Sequence, residues 1–192
     1  MTASPWWSEI ARELPERLPG DWWPEPITAG YRLRCADRHS PPPISPEQLA
    51  AEADRMTLLV DGEGLDERAA VGISAFLRHV PPASPRAVRL VLPMVGMRIA
   101  QRMADYEGID LISANGRLTA QGGTVSVTAP GEAPTYDTRA VWQWQRFRTG
   151  HLPQQLGASH PRIDPAADDP ADPYSQYASP AVLRTLTTLV TG

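Results

Sequence analysis

Residues 89 to 118 read "RLVLPMVGMRIAQRMADYEGIDLISANGRL", and this stretch sets the fold class. "RLVLP" is a short apolar run, typical of a buried strand. "GMRIAQRMADYEG" repeats apolar residues at helical spacing, and Gly108 is placed to end that helix. The predicted inner face of the helix holds Met97, Ala100, Met103 and Ala104. "IDLISAN" then predicts another strand, which completes a βαβ unit.

The same alternation begins upstream of this stretch. "MTLLVDGEG", from residue 56, predicts a buried strand, and "LDERAAVGISAFLRHV", from residue 65, predicts a helix. Strands that alternate with helices through short loops form right-handed βαβ units. We therefore expect an α/β domain over residues 28–150, built as a three-layer sandwich with a mainly parallel central sheet.

Shorter elements are predicted around these units. "PWWSEIAREL" in residues 5–14 indicates an amphipathic helix, and Tyr31, Leu33 and Cys35 alternate as in a strand. Pro46 opens a predicted helix that runs to about residue 55. After the third strand, "RLTAQGGTVSVTAP" predicts a hairpin, and "WQWQRF" predicts a closing strand with both tryptophans on one buried face.

The two ends of the chain differ in composition from this domain. Residues 1–27 form an arm rich in tryptophan and proline, residues 151–178 have the composition of a flexible linker, and residues 179–192 predict a C-terminal helix. Its apolar stripe includes Leu186 and Leu189. The arm carries Trp6, Trp7, Trp22 and Trp23. These rings either pack over the chain's own domain, which we expect, or dock on another chain, because tryptophan is enriched at interface hot spots.

Charge and composition exclude several classes of function. A net charge of -4 and a pI near 5.5 do not favour nucleic acid, which binds to a basic excess. The chain has no lysine, so a Schiff base and a P-loop lysine are excluded. A single cysteine allows no internal disulfide, and no apolar stretch is long enough for a membrane span. We expect a cytoplasmic protein that binds neither membranes nor cofactors.

Residues 56 to 148, about half of the chain, resemble a known family. The motifs follow in order: "LLVDGEG" at a first turn, "RLVLPMVG" at a second, "IAQRMADYEGIDLISANGRLTAQGG" in a third part and "WQWQRFRTG" at the end. This order resembles the caspase-like cysteine peptidase-type domains, related to the CHAT group, of large polymorphic-toxin-like proteins of actinobacteria. The resemblance implies a caspase-like fold, with a general-base histidine in the first turn and a nucleophilic cysteine in the second.

The chain departs from the family at both of these positions. Glu63 stands where the resemblance places the histidine, and Met94, or Pro93 with a one-residue gap, stands where it places the cysteine. A thioether has no acidic proton and forms no acyl-enzyme, so the dyad is degenerate. The hypothesis that follows is a non-catalytic pseudoenzyme that acts as an interaction or scaffold module in an actinobacterial system. It would bind another protein, or itself, through the arm or the C-terminal helix.

Two alternatives remain open from the residues alone. Cys35 and His39 are four residues apart and define a relocated dyad for a cysteine hydrolase. Asp61, Glu63 and Asn115 follow predicted strands at the edge where open α/β sheets bind ligands, and their oxygens suit a divalent cation. Since no second acidic cluster completes such a shell, we expect no metal, and these three residues are retained as a candidate ligand-binding edge.

Overall fold

The computed structural model describes residues 6–35, 41–52, 55–81, 87–121, 124–129 and 142–157. All of them belong to the first of two compact units, Met1–Pro161. The second unit, Arg162–Gly192, lies outside the described residues, and so does the predicted C-terminal helix with Leu186 and Leu189.

Seven strands form one mixed sheet in the order β1-β2-β3-β4-β5-β8-β9. They are β1 (Trp22–Ile27), β2 (Gly30–Cys35), β3 (Arg55–Val60), β4 (Ala87–Val91), β5 (Leu111–Ala114), β8 (Trp144–Phe147) and β9 (Gln154–Gly157). The strands from β2 to β5 are parallel, whereas β1, β8 and β9 pair antiparallel with their neighbours. A separate hairpin holds β6 (Arg117–Gln121) and β7 (Thr124–Thr128). The α/β class and the parallel centre of the sheet are confirmed.

Two α-helices connect the central strands. Helix α1 (Glu67–Leu77) begins at Asp66, whose carboxylate accepts a hydrogen bond from the backbone N–H of Ala69 at 2.7 Å. Helix α2 (Met97–Glu107) ends at Gly108, which adopts a φ of 66° and so the left-handed conformation that favours glycine. Within the part of the chain described, neither helix has the length and apolar character that crossing a membrane requires.

Both helices cover the same face of the sheet. Ile73 and Phe76 of α1 and Ala100 and Met103 of α2 share one apolar cluster with alternate residues of the strands. The strand residues in this cluster are Trp22, Tyr31, Leu33, Cys35, Met56, Leu58, Val60, Val88, Leu90, Leu111 and Phe147. Because side chains alternate along a strand, the residues between these point to the opposite face. The main core therefore lies between the helices and one side of the sheet.

The opposite face is covered by irregular chain and by the hairpin. Trp144 reaches the hairpin through a hydrogen bond from its indole N–H to the carbonyl of Val125 at 3.2 Å. Segment 41–52 contributes the buried side chains of Ile44 and Leu49. A second helical layer, which the expected three-layer sandwich requires, is not found among the described residues. The caspase-like form of the sandwich is therefore not established by this architecture.

Among the residues that the structure describes, three arginines are buried on this second face: Arg55, Arg89 and Arg146. Arg89 contacts Glu52 at 3.0 Å and donates to the hydroxyl of Thr57 at 2.6 Å. Glu52 also pairs with Arg55, and Asp110 pairs with Arg146. A buried charge is tolerated when it is paired and hydrogen-bonded. These pairs hold segment 41–52 and the residue before β5 against the sheet.

The helix predicted from Pro46 to residue 55 is wrong. The structure has one 3₁₀ turn, Pro46–Gln48, and Leu49 is extended, with φ −95° and ψ 119°. Leu49 is buried, and Arg55 already belongs to β3 while its guanidinium pairs with Glu52. Burial of Leu49 and the ionic contacts of Glu52 outweigh the weak helical propensity of the segment.

The domain is wider than residues 28–150. The sheet includes β1 on one side, an edge strand that contains Pro24 and Pro26, and β9 on the other. The amphipathic helix predicted in residues 5–14 is a 3₁₀ helix, Trp6–Arg12, and this segment belongs to the core through Trp7 and Ile10. Residues 6–27 of the arm and residues 151–157 of the predicted linker thus contribute to the same sheet and core.

Met97 was expected on the inner face of α2, and this expectation is wrong. Its side chain is 46% exposed, whereas Ala100, Met103 and Ala104 are buried as predicted. Met97 is the first residue of the helix, three residues before the first buried side chain, Ala100.

Substitution of Gly72 by alanine is expected to lower the free energy of unfolding by about 1–3 kcal/mol, the usual cost of overpacking a core. At an ordinary helical site the same change stabilises by about 1 kcal/mol. Here an added Cβ would lie 2.6 Å from the indole Nε1 of Trp22, which is fully buried and donates to the carbonyl of Arg68 at 3.1 Å. Urea unfolding followed by tryptophan fluorescence measures the change. A stabilised Gly72→Ala protein would contradict this packing.

Candidate functional site

The carboxyl ends of the parallel strands bring three turns together at one edge of the sheet. The turn after β4 is tied to the end of β5, because the N–H of Met94 bonds to the carbonyl of Gly116 at 3.2 Å and that of Val95 to the carbonyl of Ala114 at 3.1 Å. On its other side, Gly64 in the turn after β3 lies next to the carbonyl of Pro93. This is the edge where open α/β sheets bind ligands.

Met94 has an unusual backbone at this edge. Its φ is 56°, and only Asp21 shares a positive φ among the non-glycine residues described. A left-handed non-glycine residue costs about 1–3 kcal/mol, and such residues concentrate at functional sites. The side chain is 46% exposed in a tight strand-to-helix turn, the kind of turn that presents a nucleophile above the sheet in many α/β enzymes. Here the turn presents a thioether.

Glu63 lies in the neighbouring turn and is exposed. It stands between Gly62, whose φ is 131°, and Gly64. The two positions that the family resemblance marks, Glu63 and Met94, are therefore in adjacent turns at one edge of the sheet. Neither side chain offers the base and nucleophile of a cysteine peptidase.

The divalent-cation hypothesis gains no support, because two of its three residues are engaged by protein groups. Asp61 is 3% exposed, and its two oxygens accept bonds from Nε and Nη2 of Arg32 at 2.8 and 2.9 Å. The hydrogen bond to Asp61 is the main reason that the pKa of Arg32 is raised. The side-chain oxygen of Asn115 accepts from the N–H of Gln143 at 2.7 Å. Within the described ranges, no three histidine, cysteine, aspartate or glutamate side chains are grouped as metal ligands.

The relocated dyad gains no support either. Cys35 is 2% exposed and belongs to the main core at the end of β2, on the same face as Leu33 and Tyr31. A nucleophile must reach its substrate, and this thiol is covered by the protein. His39 lies outside the described residues.

The four tryptophans of the arm divide into two kinds. Trp7 and Trp22 are buried in the core, which confirms for these two that the arm packs over its own domain. Trp6 and Trp23 are half-buried. The ring of Trp6 meets Trp7 edge-on at 5.9 Å, and the guanidinium of Arg17 lies 5.3 Å from the ring centre of Trp23. Any docking role of the arm would thus fall to Trp6 and Trp23.

Sequence reasoning missed the apolar surface around Met94. Met97 is exposed beside it, and Trp142, half-buried, lies so close to Gly116 that a Cβ added to the glycine would be 3.4 Å from the Trp142 Cβ. The sequence feature that could have revealed this surface is "MVGM", in which one methionine precedes and one follows a glycine at the strand-to-helix turn. Both tryptophans of "WQW" were instead predicted to be core residues.

Comparison with protein-family models, with curated proteins and with solved structures finds no match to this chain.

Proposed function

We propose that the chain is a non-catalytic pseudoenzyme of caspase-like type, which serves as a protein-protein interaction or scaffold module in an actinobacterial system. The observation that carries this proposal is Met94. It occupies a strained, exposed strand-to-helix turn at the carboxyl edge of the parallel strands, where the resemblance places a nucleophilic cysteine. The thioether has no proton to lose and forms no acyl-enzyme, so the turn has the geometry of a reactive site without its chemistry.

The surroundings of Met94 support the same proposal. Glu63 replaces the expected base and has no thiol to activate. Cys35, the only cysteine of the chain, is buried in the core. A hydrolase built on Cys35 and His39 would need the end of β2 to open before substrate could bind. The interaction role is therefore preferred over the cysteine hydrolase.

The partner in this proposal is another protein or a second copy of the chain. Two regions are candidates for contact: the half-buried rings of Trp6 and Trp23 in the arm, and the apolar stripe of the C-terminal segment with Leu186 and Leu189. Apolar side chains of this size are seldom left solvated when a protein surface can cover them. Affinity capture from the native host, followed by binding measurements with each purified candidate, would identify the partner.

Thiol reactivity and hydrolysis test the absence of catalysis directly. We expect the folded chain to hydrolyse peptides and esters no faster than buffer, and the Cys35→Ala variant to behave identically. Ellman's reagent should label Cys35 slowly in the native protein and rapidly in urea, because the thiol is 2% exposed. Fast, pH-dependent labelling in the native state, together with hydrolysis that Cys35→Ala abolishes, would overturn the pseudoenzyme proposal.

A further inference from the structure

We infer that Met94, Met97 and Trp142, with Arg98 and Arg102 beside them, form a docking surface for an acidic, apolar segment of a partner protein. We name it the methionine edge. The inference rests on the proposed function, because it adds a third contact surface of the interaction module to the arm and the C-terminal segment.

A backbone hydrogen bond joins the two turns that carry the apolar part of the methionine edge. Met94 bonds through its backbone to Gly116, and Gly116 lies against Trp142. Met97 opens α2 three residues after Met94, and both methionines are 46% exposed. Single exposed apolar residues are ordinary on a protein surface, but two methionines beside a half-buried tryptophan form a patch. Methionine is flexible and polarisable, so such a patch adapts to apolar side chains of different shape.

The charge beside this patch is positive. The first turn of α2 has no acidic residue, and Gly96 at its N-cap supplies no side-chain cap. Arg98 and Arg102 are both exposed and are one helical turn apart. The positive end of the helix dipole adds to these two charges. This local balance is opposite to the net charge of the chain, which is -4.

Glu63, the exposed acid of the neighbouring turn, lies on the other side of the β4 turn, and the exposed Asp105 of α2 accepts a hydrogen bond from Gln101 at 2.9 Å. The turn after β4 lies between two neighbours, as the strand order requires. The turn after β3 is on one side of Pro93, and Gly116 with Trp142 is on the other side. The methionine edge therefore combines apolar contact with positive charge. Charge complementarity selects a segment that carries aspartate or glutamate next to its apolar residues.

Peptide selection tests the methionine edge. A phage library of random 16-residue peptides would be selected on the immobilised full chain, with the Arg98→Glu/Arg102→Glu double variant used for counter-selection. Enriched peptides should combine acidic and apolar residues. When they are synthesised and measured by fluorescence anisotropy, their affinity should fall at least about tenfold with the double variant, as expected for the loss of two complementary charges. Met94→Ser/Met97→Ser should weaken binding by a similar factor.

Two matched controls lie outside the methionine edge. Val71 on α1 is 47% exposed, so Val71→Ser removes a comparable apolar side chain, and Glu67→Gln removes an exposed charge on the same helix. Both variants should bind the peptides within about twofold of the wild type, since neither touches the proposed contact. Melting temperatures of all four variants confirm that they are folded.

Three results would overturn the inference. The selection could enrich no peptide over the counter-selection, or the enriched peptides could bind the arginine double variant as tightly as the wild type. The third result is a wild-type dimer that dissociates in the double variant, which would show that a second copy of the chain occupies the surface. None of these results would show catalytic activity, so the proposal of a pseudoenzyme would stand. Hydrolysis lost in Cys35→Ala would instead remove the proposed function and leave peptide binding as an independent measurement.

Discussion

Gly30→Ala is expected to lower the free energy of unfolding by about 2–6 kcal/mol, which combines backbone strain of about 1–3 kcal/mol with overpacking of about 1–3 kcal/mol. Gly30 has a φ of 148° and pairs with Thr57 where β2 meets β3. A Cβ there would clash with the carbonyl oxygen of Thr57 and lie 2.9 Å from its nitrogen and 2.7 Å from Cγ of Met56. Urea denaturation of the purified variant measures the loss.

Gly64→Ala is the matched control for this substitution. The nearest atom to an added Cβ is the carbonyl oxygen of Pro93 at 3.7 Å, an ordinary van der Waals distance, and the φ of Gly64 is not positive. Its free energy of unfolding should stay within about 0.5 kcal/mol of the wild type. Equal losses in Gly30→Ala and Gly64→Ala would show that the close contact between β2 and β3 is not what requires glycine.

Trp144→Ala should lower the free energy of unfolding by about 3–5 kcal/mol, the usual cost of removing a buried tryptophan. The ring is fully buried, and its N–H bonds to Val125 in the hairpin. Trp144→Phe keeps a buried aromatic ring but loses the hydrogen bond, worth about 1 kcal/mol, and leaves a smaller cavity, so it should cost less than Trp144→Ala. Thermal and urea unfolding give both values.

Trp142→Ala should behave differently from Trp144→Ala. The sequence predicted that both rings share a buried face, but Trp142 precedes β8 and is half-buried. We therefore expect a loss of about 1 kcal/mol, since less apolar area returns to water. A loss as large as that of Trp144→Ala would show that Trp142 is a core residue and would remove it from the methionine edge.

The central strands and helices could be predicted because the apolar residues of each segment follow either the strand pattern or the helix pattern. The apolar positions of β3, β4 and β5 and the inner faces of α1 and α2 follow the strand and helix patterns, and Gly108 ends α2 as expected. The predicted helix at Pro46 failed because burial and ionic contacts with distant strands determine that segment. The ionic contacts of Arg89 were missed for a related reason: a single charge inside an apolar run reveals that it needs a partner but does not reveal which one.

The candidate site could be predicted only in part. The resemblance singled out Glu63 and Met94, and the structure does bring their turns together. Asp61 and Asn115 also follow their strands as expected, but their bonds to Arg32 and Gln143 join residues that are far apart in the chain. Sequence pattern locates a carboxylate at a strand end. Whether that carboxylate is available to a ligand depends on tertiary contacts that periodicity does not encode.

The two prolines of β1 have a consequence for growth of the sheet. Proline has no N–H, so at Pro24 and Pro26 the outer side of this strand lacks two of the donors that an incoming strand would use. Another chain therefore finds no continuous template there, and end-to-end stacking of copies into an open fibre is blocked from that side. Even if β9 were to pair with a second molecule, assembly through the sheets would close at two copies and would not polymerise.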